Sequence, residues 1–194
     1  DLLRRFGAVE TIVESETPGL RYPDVLAETL RRVAKAAGSA ATEAEARAFG
    51  NSVPDWPAFA DSVSALTRLQ QRYKLVILSN VDRASFAASA AKLGVVFDLV
   101  ITAEDVGAYK PDRRNFERLF ADLPAIGASR STVVHVAESL FHDHGPAQEL
   151  GLPSVWIHRR AGKAGTGATH PPIGVQEPAL RFESMAAFAE EALA

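Results

Sequence analysis

The sequence predicts an α/β fold, with a parallel sheet covered by helices and a small helical unit ahead of it. Three observations carry this reading. From Asp61 onward, short apolar runs alternate with segments of helical periodicity, the pattern of repeated β-α-β units with right-handed crossovers. The runs are continuous rather than alternating, as in Leu75–Ser79, and so read as parallel strands buried on both faces. Before Val53 there is no such run, only helical spacing.

Composition narrows the function classes. A chain of 194 residues that is 47% hydrophobic and 23% charged is long enough for one core and a modest appendage. A net charge of −3 leaves no basic footprint for nucleic acid. The absence of cysteine excludes disulfides, thiolate nucleophiles and zinc–thiolate sites. No apolar run reaches the roughly 18 residues of a membrane span, and no charged-then-apolar leader opens the sequence. The expected compartment is the cytoplasm, with no membrane and no nucleic-acid partner.

Taken in order, Asp1–Glu16 is a helix by the spacing of Leu2, Leu3, Phe6, Val9, Ile12 and Val13, and Thr17-Pro18-Gly19 breaks it. Asp24–Ala37 is a second helix, with Val25, Leu26, Leu30 and Val33 on one face and Gly38 at its end. Thr42 caps a third helix to about Phe49, with Glu45 completing a capping box. The two prolines of V-P-D-W-P then stop helical continuation and mark a link. We place a helical cap at 1–54 and the core at 55–194. In the core, helices are expected at Asp61–Tyr73 (inner face Val63, Leu66, Leu69), Arg83–Leu93, Arg113–Leu123, Gly145–Leu150 and Ser184–Leu193. Strands are expected at Leu75–Leu78, Phe97–Thr102, Thr132–Val136, Ser154–Ile157 and Leu180–Phe182. Gly, Pro and Thr crowd the stretch Arg160–Pro178, which is expected to lack order.

Polar groups cluster where strands end, the edge that faces the ligand crevice in open α/β sheets. Ser79-Asn80 closes the Leu75 strand, although both residues also favour plain turns and caps. Lys110-Pro111 follows the next strand, and a lysine before proline is commonly just solvated. After the strand at Val136 comes V-A-E-S-L-F-H-D-H, where Asp143 could equally cap the following helix. His135 and His142 admit a general-base reading, and His135 a buried structural one. Trp56 and Tyr109 are candidate crevice walls or packing residues. A hydroxyl, an ammonium and carboxylates at one crevice suit an anionic substrate and a carboxylate nucleophile.

The ordered set L-S-N-V-D, K-P-D-R-R-N-F and H-V-A-E-S-L-F-H-D-H-G-P-A resembles motifs two to four of the haloacid dehalogenase-like (HAD) hydrolase superfamily. The wording is most similar to type II 2-haloacid dehalogenase-like members. The resemblance implies a Rossmann-like core with a cap and a small anionic substrate. It implies an aspartyl ester intermediate and, as one assembly, a homodimer. It assigns substrate-anion binding to Ser79, with Asn80 beside it, and charge balance at the nucleophile to Lys110. It gives Glu138 and Asp143 the role of orienting catalytic groups or binding Mg2+. A dehalogenase needs no cofactor, whereas a phosphatase-like member would use Mg2+. Arg5 is the nearest match to the cap arginine that holds a halide, with Arg4 competing, and helix-surface salt bridging is the other reading for both. On this reading Lys110→Ala should lose most turnover with the fold retained. Two rivals stand beside the dehalogenase: a Mg-dependent small-molecule phosphatase, and a non-catalytic remnant that keeps the fold for binding or assembly.

The family's first motif, D-x-x-G-T-L after a strand, supplies the nucleophilic Asp and is not in this sequence. Its strand lies beside the Leu75 strand in the family, so its loss would open two strand edges. We therefore expect the sequence to be part of a longer protein, or to borrow a strand from another chain. A stable, soluble monomer of these 194 residues in light scattering would refute that. In motif four, Glu138 and Asp143 keep a five-residue spacing, but Glu replaces the usual first Asp, and Mg2+ tolerates little change in geometry.

Overall fold

The computed structural model describes residues 2–162 and 174–194. The middle of the stretch expected to lack order, residues 163–173, lies outside the described residues. Three helices come first: α1 (Leu2–Glu16), α2 (Tyr22–Ala36) and α3 (Glu43–Gly50). α2 begins earlier than its expected start at Asp24, because Pro23 is accommodated in its first turn. Thr42 caps α3 through a capping box with Glu45, as expected. The helices join over Val13, Val25 and Leu26, all fully buried, while Leu2, Leu3 and Ile12 of α1 remain exposed. Gly50 sits where a Cβ would collide with the main-chain oxygen of Pro23, so this α2–α3 approach requires glycine.

The rest of the chain alternates as expected. α4 (Ser62–Leu69) leads to β1 (Val76–Ser79), α5 (Arg83–Leu93) and β2 (Leu99–Thr102). One-turn α6 (Ala103–Val106) and α7 (Arg113–Asp122) come next, then β3 (His135–Ala137) and α8 (Gly145–Glu149). β4 (Ser154–Ile157), β5 (Leu180–Phe182) and α9 (Met185–Ala192) complete it. Asp82 caps α5, and Gly94 closes it at φ +65°. α4 is shorter than expected, and its inner face is Ser62, Ala65 and Leu69, because Ala65 and Leu69 pack on Ala189 of α9. Val63 is 41% exposed. β3 begins later than expected because Arg130–Thr132 forms a 3-10 turn.

The strands form two parallel sheets, β1-β2 and β3-β4-β5. Val76 pairs with Leu99 and Ser79 with Thr102; His135 pairs with Ser154, and Val155 with Leu180. Among the described residues β1 pairs only with β2, and β3 only with β4. This accounts for a departure from the sequence reading. Every residue of β1 is half-buried rather than buried, whereas Val155, Trp156 and Ile157 of β4 are buried. β4 has a strand on both sides; β1 and β3 each have an unpaired edge. The two sheets nonetheless share one core. Leu78 and Val133 pack against Phe116, Ala147 and Leu152, and also against Ile101, Leu119 and Leu123.

Candidate active site

Lys110 joins the two sheets. Its main chain is held by the Asn80 side chain at the end of β1: Lys110 N donates to Asn80 Oδ1 (2.7 Å), and Asn80 Nδ2 donates to Lys110 O (3.0 Å). Next to it, Tyr109 is buried against Val13 and Val25 and donates to Leu20 O at 2.6 Å. So fixed, Lys110 points its ammonium to Leu78 O of β1 (2.7 Å) and to Asp143 Oδ1 beyond β3 (2.6 Å). The residue is 7% exposed, as is Asp143.

Asp143 lies in a π turn, Leu140–His144, which Ser139 caps by accepting from His142 N. Such turns are frequent at functional positions. The same Oδ1 that meets Lys110 lies 2.9 Å from His135 Nε2 on β3. Burial would push the Asp143 carboxyl up, but the Lys110 ammonium and His135 more than offset this, and it lies well below the usual carboxylate range. His144 is structural: its ring nitrogens reach Ser154 Oγ and Ala137 O at 3.1 Å each. Burial holds its pKa down.

A second polar group comes from α1. Glu10 and Glu14 are one turn apart, and Glu10 accepts from Tyr22 Oη at 3.0 Å. Glu14 is 6% exposed and has no side-chain hydrogen bond among the described residues; His142 Nε2 lies 3.9 Å from its carboxylate. His142 lies in the same π turn as Asp143, with its Nδ1 3.2 Å from Ser139 Oγ. Burial, reinforced by the neighbouring Glu10 and opposed by Lys110, pushes the Glu14 carboxyl up to about 9. Burial pushes Glu10 up to about 7, against the pull of the Tyr22 hydrogen bond.

The structure thus brings together Asn80, Lys110 and Asp143, with Ser79 half-buried at the end of β1. Asn80 engages both amide atoms with the Lys110 main chain. Arg5 is exposed in the first turns of α1, and among the described residues no hydrogen bond or ion pair joins it to this cluster. For Glu138, the main-chain oxygen accepts from Trp156 Nε1 at 2.8 Å. Among the described residues no group of three or more His, Asp or Glu side chains is arranged to hold a metal ion. Lys110 and His135 share one oxygen of Asp143, Oδ1. Of the candidate walls, Tyr109 packs in the core and Trp56 is 44% exposed. The sequence reading missed Glu14, because V-E-S-E in an amphipathic helix reads as a solvated edge. Its one available signal was position: it follows directly on Val13, which is fully buried.

A family model for haloacid dehalogenase-like hydrolases matches residues 5–143. The chain belongs to this family. It is 32% identical over 135 residues to an (S)-2-haloacid dehalogenase of Pseudomonas sp. (strain YL), covering 68% of this chain and 53% of that protein. The chain therefore spans about half the length of the curated relative it matches. In fold it is similar to an L-2-haloacid dehalogenase from Xanthobacter autotrophicus with chloropropionic acid covalently bound. That match has a TM-score of 0.75 and 17% identity, over 95% of this chain and 84% of that one. A HAD-hydrolase from Bacillus subtilis bound to magnesium matches with a TM-score of 0.69 and 16% identity, over 98% and 82% of the two chains. These likenesses agree with the Rossmann-like α/β architecture. No described helix is long and apolar enough to cross a membrane.

Proposed function

We propose that this chain is part of a 2-haloacid dehalogenase-like hydrolase whose nucleophilic aspartate is carried on a strand from outside these 194 residues. The observation that carries the reading is the position of Lys110. Its ammonium bonds Leu78 O of β1, in one sheet, and Asp143 Oδ1, in the turn that follows β3 of the other, and among the described residues β1 and β3 each have an unpaired edge. A carboxylate on a strand pairing with those edges would meet a buried cation fixed in advance, the arrangement that stabilises charge where it develops. Residues 1–54 form the cap in this reading and 55–194 the core.

The chemistry follows from the groups present. The carboxylate attacks C2 of a short haloacid, the C–O bond forms, and the halide leaves with the bonding pair. Water then hydrolyses the aspartyl ester. Ser79 meets the substrate carboxylate, Asn80 keeps Lys110 in place, and Asp143 with His135 anchors the ammonium. The test uses the protein with its nucleophile strand, assayed for chloride release from 2-chloropropionate without added metal. Chloride release supports the reading. Magnesium-dependent release of phosphate from a phosphate ester overturns it in favour of a phosphatase, and inactivity on both favours a binding or assembly role.

A further inference from the structure

The residue before Lys110 carries its side chain away from the site. Tyr109 is 5% exposed, with its ring among Val13 of α1, Val25 of α2 and Ala103. Its Oη donates to Leu20 O, between α1 and α2, at 2.6 Å. Burial, reinforced by Glu14, Asp82, Asp24 and Glu10, pushes the phenol above its usual range, so it stays protonated and remains a donor. The next side chain along is the Lys110 ammonium, on Leu78 O and Asp143 Oδ1. Asn80 fixes the Lys110 main chain from β1, while Tyr109 fixes the adjoining residue from the first two helices. Resting on the dehalogenase reading above, in which those helices belong to the cap, we propose that Tyr109 is a positioning residue that ties the Lys110 ammonium to the seating of the cap.

The coupling follows from the lengths involved. Adjacent Cα atoms are held about 3.8 Å apart by a trans peptide, so a shift of Tyr109 passes to Lys110 with little slack. The Lys110 ammonium has two hydrogen bonds to keep, at 2.7 and 2.6 Å. A misplacement of about 1 Å that starts away from the chemistry can cost about 100-fold in rate. Tyr109 itself lies in the apolar cluster and not at the ammonium, so it acts through Lys110. Its loss should lower turnover and leave substrate binding nearly as it was.

The test uses the protein with its nucleophile strand and compares the parent with Tyr109→Phe, Tyr109→Ala and Leu69→Ala. The last is a core deletion where α4 meets α9, in a cluster apart from Tyr109. Two quantities are read under conditions where every variant is folded. One is chloride release from 2-chloropropionate. The other is exchange of the Lys110 ammonium protons with water, by proton–nitrogen NMR. That signal is assigned by its loss in the double variant Lys110→Met with Asp143→Asn. Protected protons exchange when their hydrogen bonds open. Tyr109→Phe keeps the ring and gives up only the bond to Leu20 O. It should lower kcat and speed the exchange, each by about fivefold, with KM within about twofold. Tyr109→Ala should do both by about thirtyfold or more, and Leu69→Ala should leave both at parent values. Should Tyr109→Ala fail to fold, Tyr109→Phe decides. Parent-like exchange in Tyr109→Phe, or an equal acceleration in Leu69→Ala, overturns the proposal. A raised KM at unchanged kcat would place Tyr109 in substrate binding and overturns it too. The two readings fail separately. Absent chloride release from the parent refutes the dehalogenase, while the exchange comparison still decides whether Tyr109 positions Lys110.

Discussion

Lys110→Ala is expected to destabilise the folded protein by about 3–5 kcal/mol, besides removing turnover, because it leaves a buried charge without its partner. Sequence reasoning alone expects the fold to survive this change; the structure makes the lysine part of the fold. Asp143 is 7% exposed, and its Oδ1 accepts from Lys110 Nζ at 2.6 Å. Without the ammonium, His135 remains on that oxygen, which places the cost toward the lower end of the range. The Leu78 carbonyl also loses a donor on the unpaired edge of β1. The double variant Lys110→Met with Asp143→Asn removes both charges and should recover most of the lost stability while staying inactive. Urea unfolding of the three proteins measures this. A single variant within about 1 kcal/mol of the parent would mean that the pair contributes little. The effect must also depend on pH. Asp143 has its folded pKa depressed below the ordinary 3.8, so its contribution is present above that pH and is lost as pH falls through the folded value. The gap between parent and Lys110→Ala should therefore close in strong acid.

Glu14→Gln is expected to do the reverse and stabilise the protein at neutral and alkaline pH. The acid's folded pKa is about 9, against an ordinary 4.5. Between these values the unfolded chain is ionised while the folded one keeps its proton, so the unfolded state binds fewer protons. Stability then falls as pH rises through that window. Each pH unit of the window costs about 1.4 kcal/mol. Glutamine, similar in shape and uncharged, avoids this cost. The variant should gain about 2–4 kcal/mol at pH 7 and nothing at pH 4. Thermal or urea melts at those two pH values give the answer. Equal stability of variant and parent at both would mean that Glu14 ionises freely in the folded protein.

Much of the fold was legible because it is written in local patterns. Arg83–Leu93 has a side-chain cap at Asp82 and a glycine at its end, and the helix occupies those residues. Thr42 and Glu45 announced the start of α3. Elements bounded by tertiary contacts were read less well. The register of β3 depends on a 3-10 turn at Arg130–Thr132. The inner face of α4 depends on which residues meet α9. The π turn at Leu140–His144 has no signature in propensity.

The site divides in the same way. By itself the sequence indicated that Ser79 and Asn80 close one parallel strand and that Lys110 and Asp143 follow two others, since an apolar run closing on a polar residue is a local pattern. It also settled that none of these 194 residues supplies a thiol. Only the tertiary structure decided what these residues do to one another. Asn80 clamps the Lys110 main chain, His135 and Lys110 share one oxygen of Asp143, and Arg5 lies exposed while Glu14 is buried. The reason is that hydrogen bonds and charge pairs act over a few ångströms, between residues as far apart in sequence as Glu14 and His142. Burial, which raises one carboxyl of this chain while two partners lower another, is a property of the packed chain and of no segment within it.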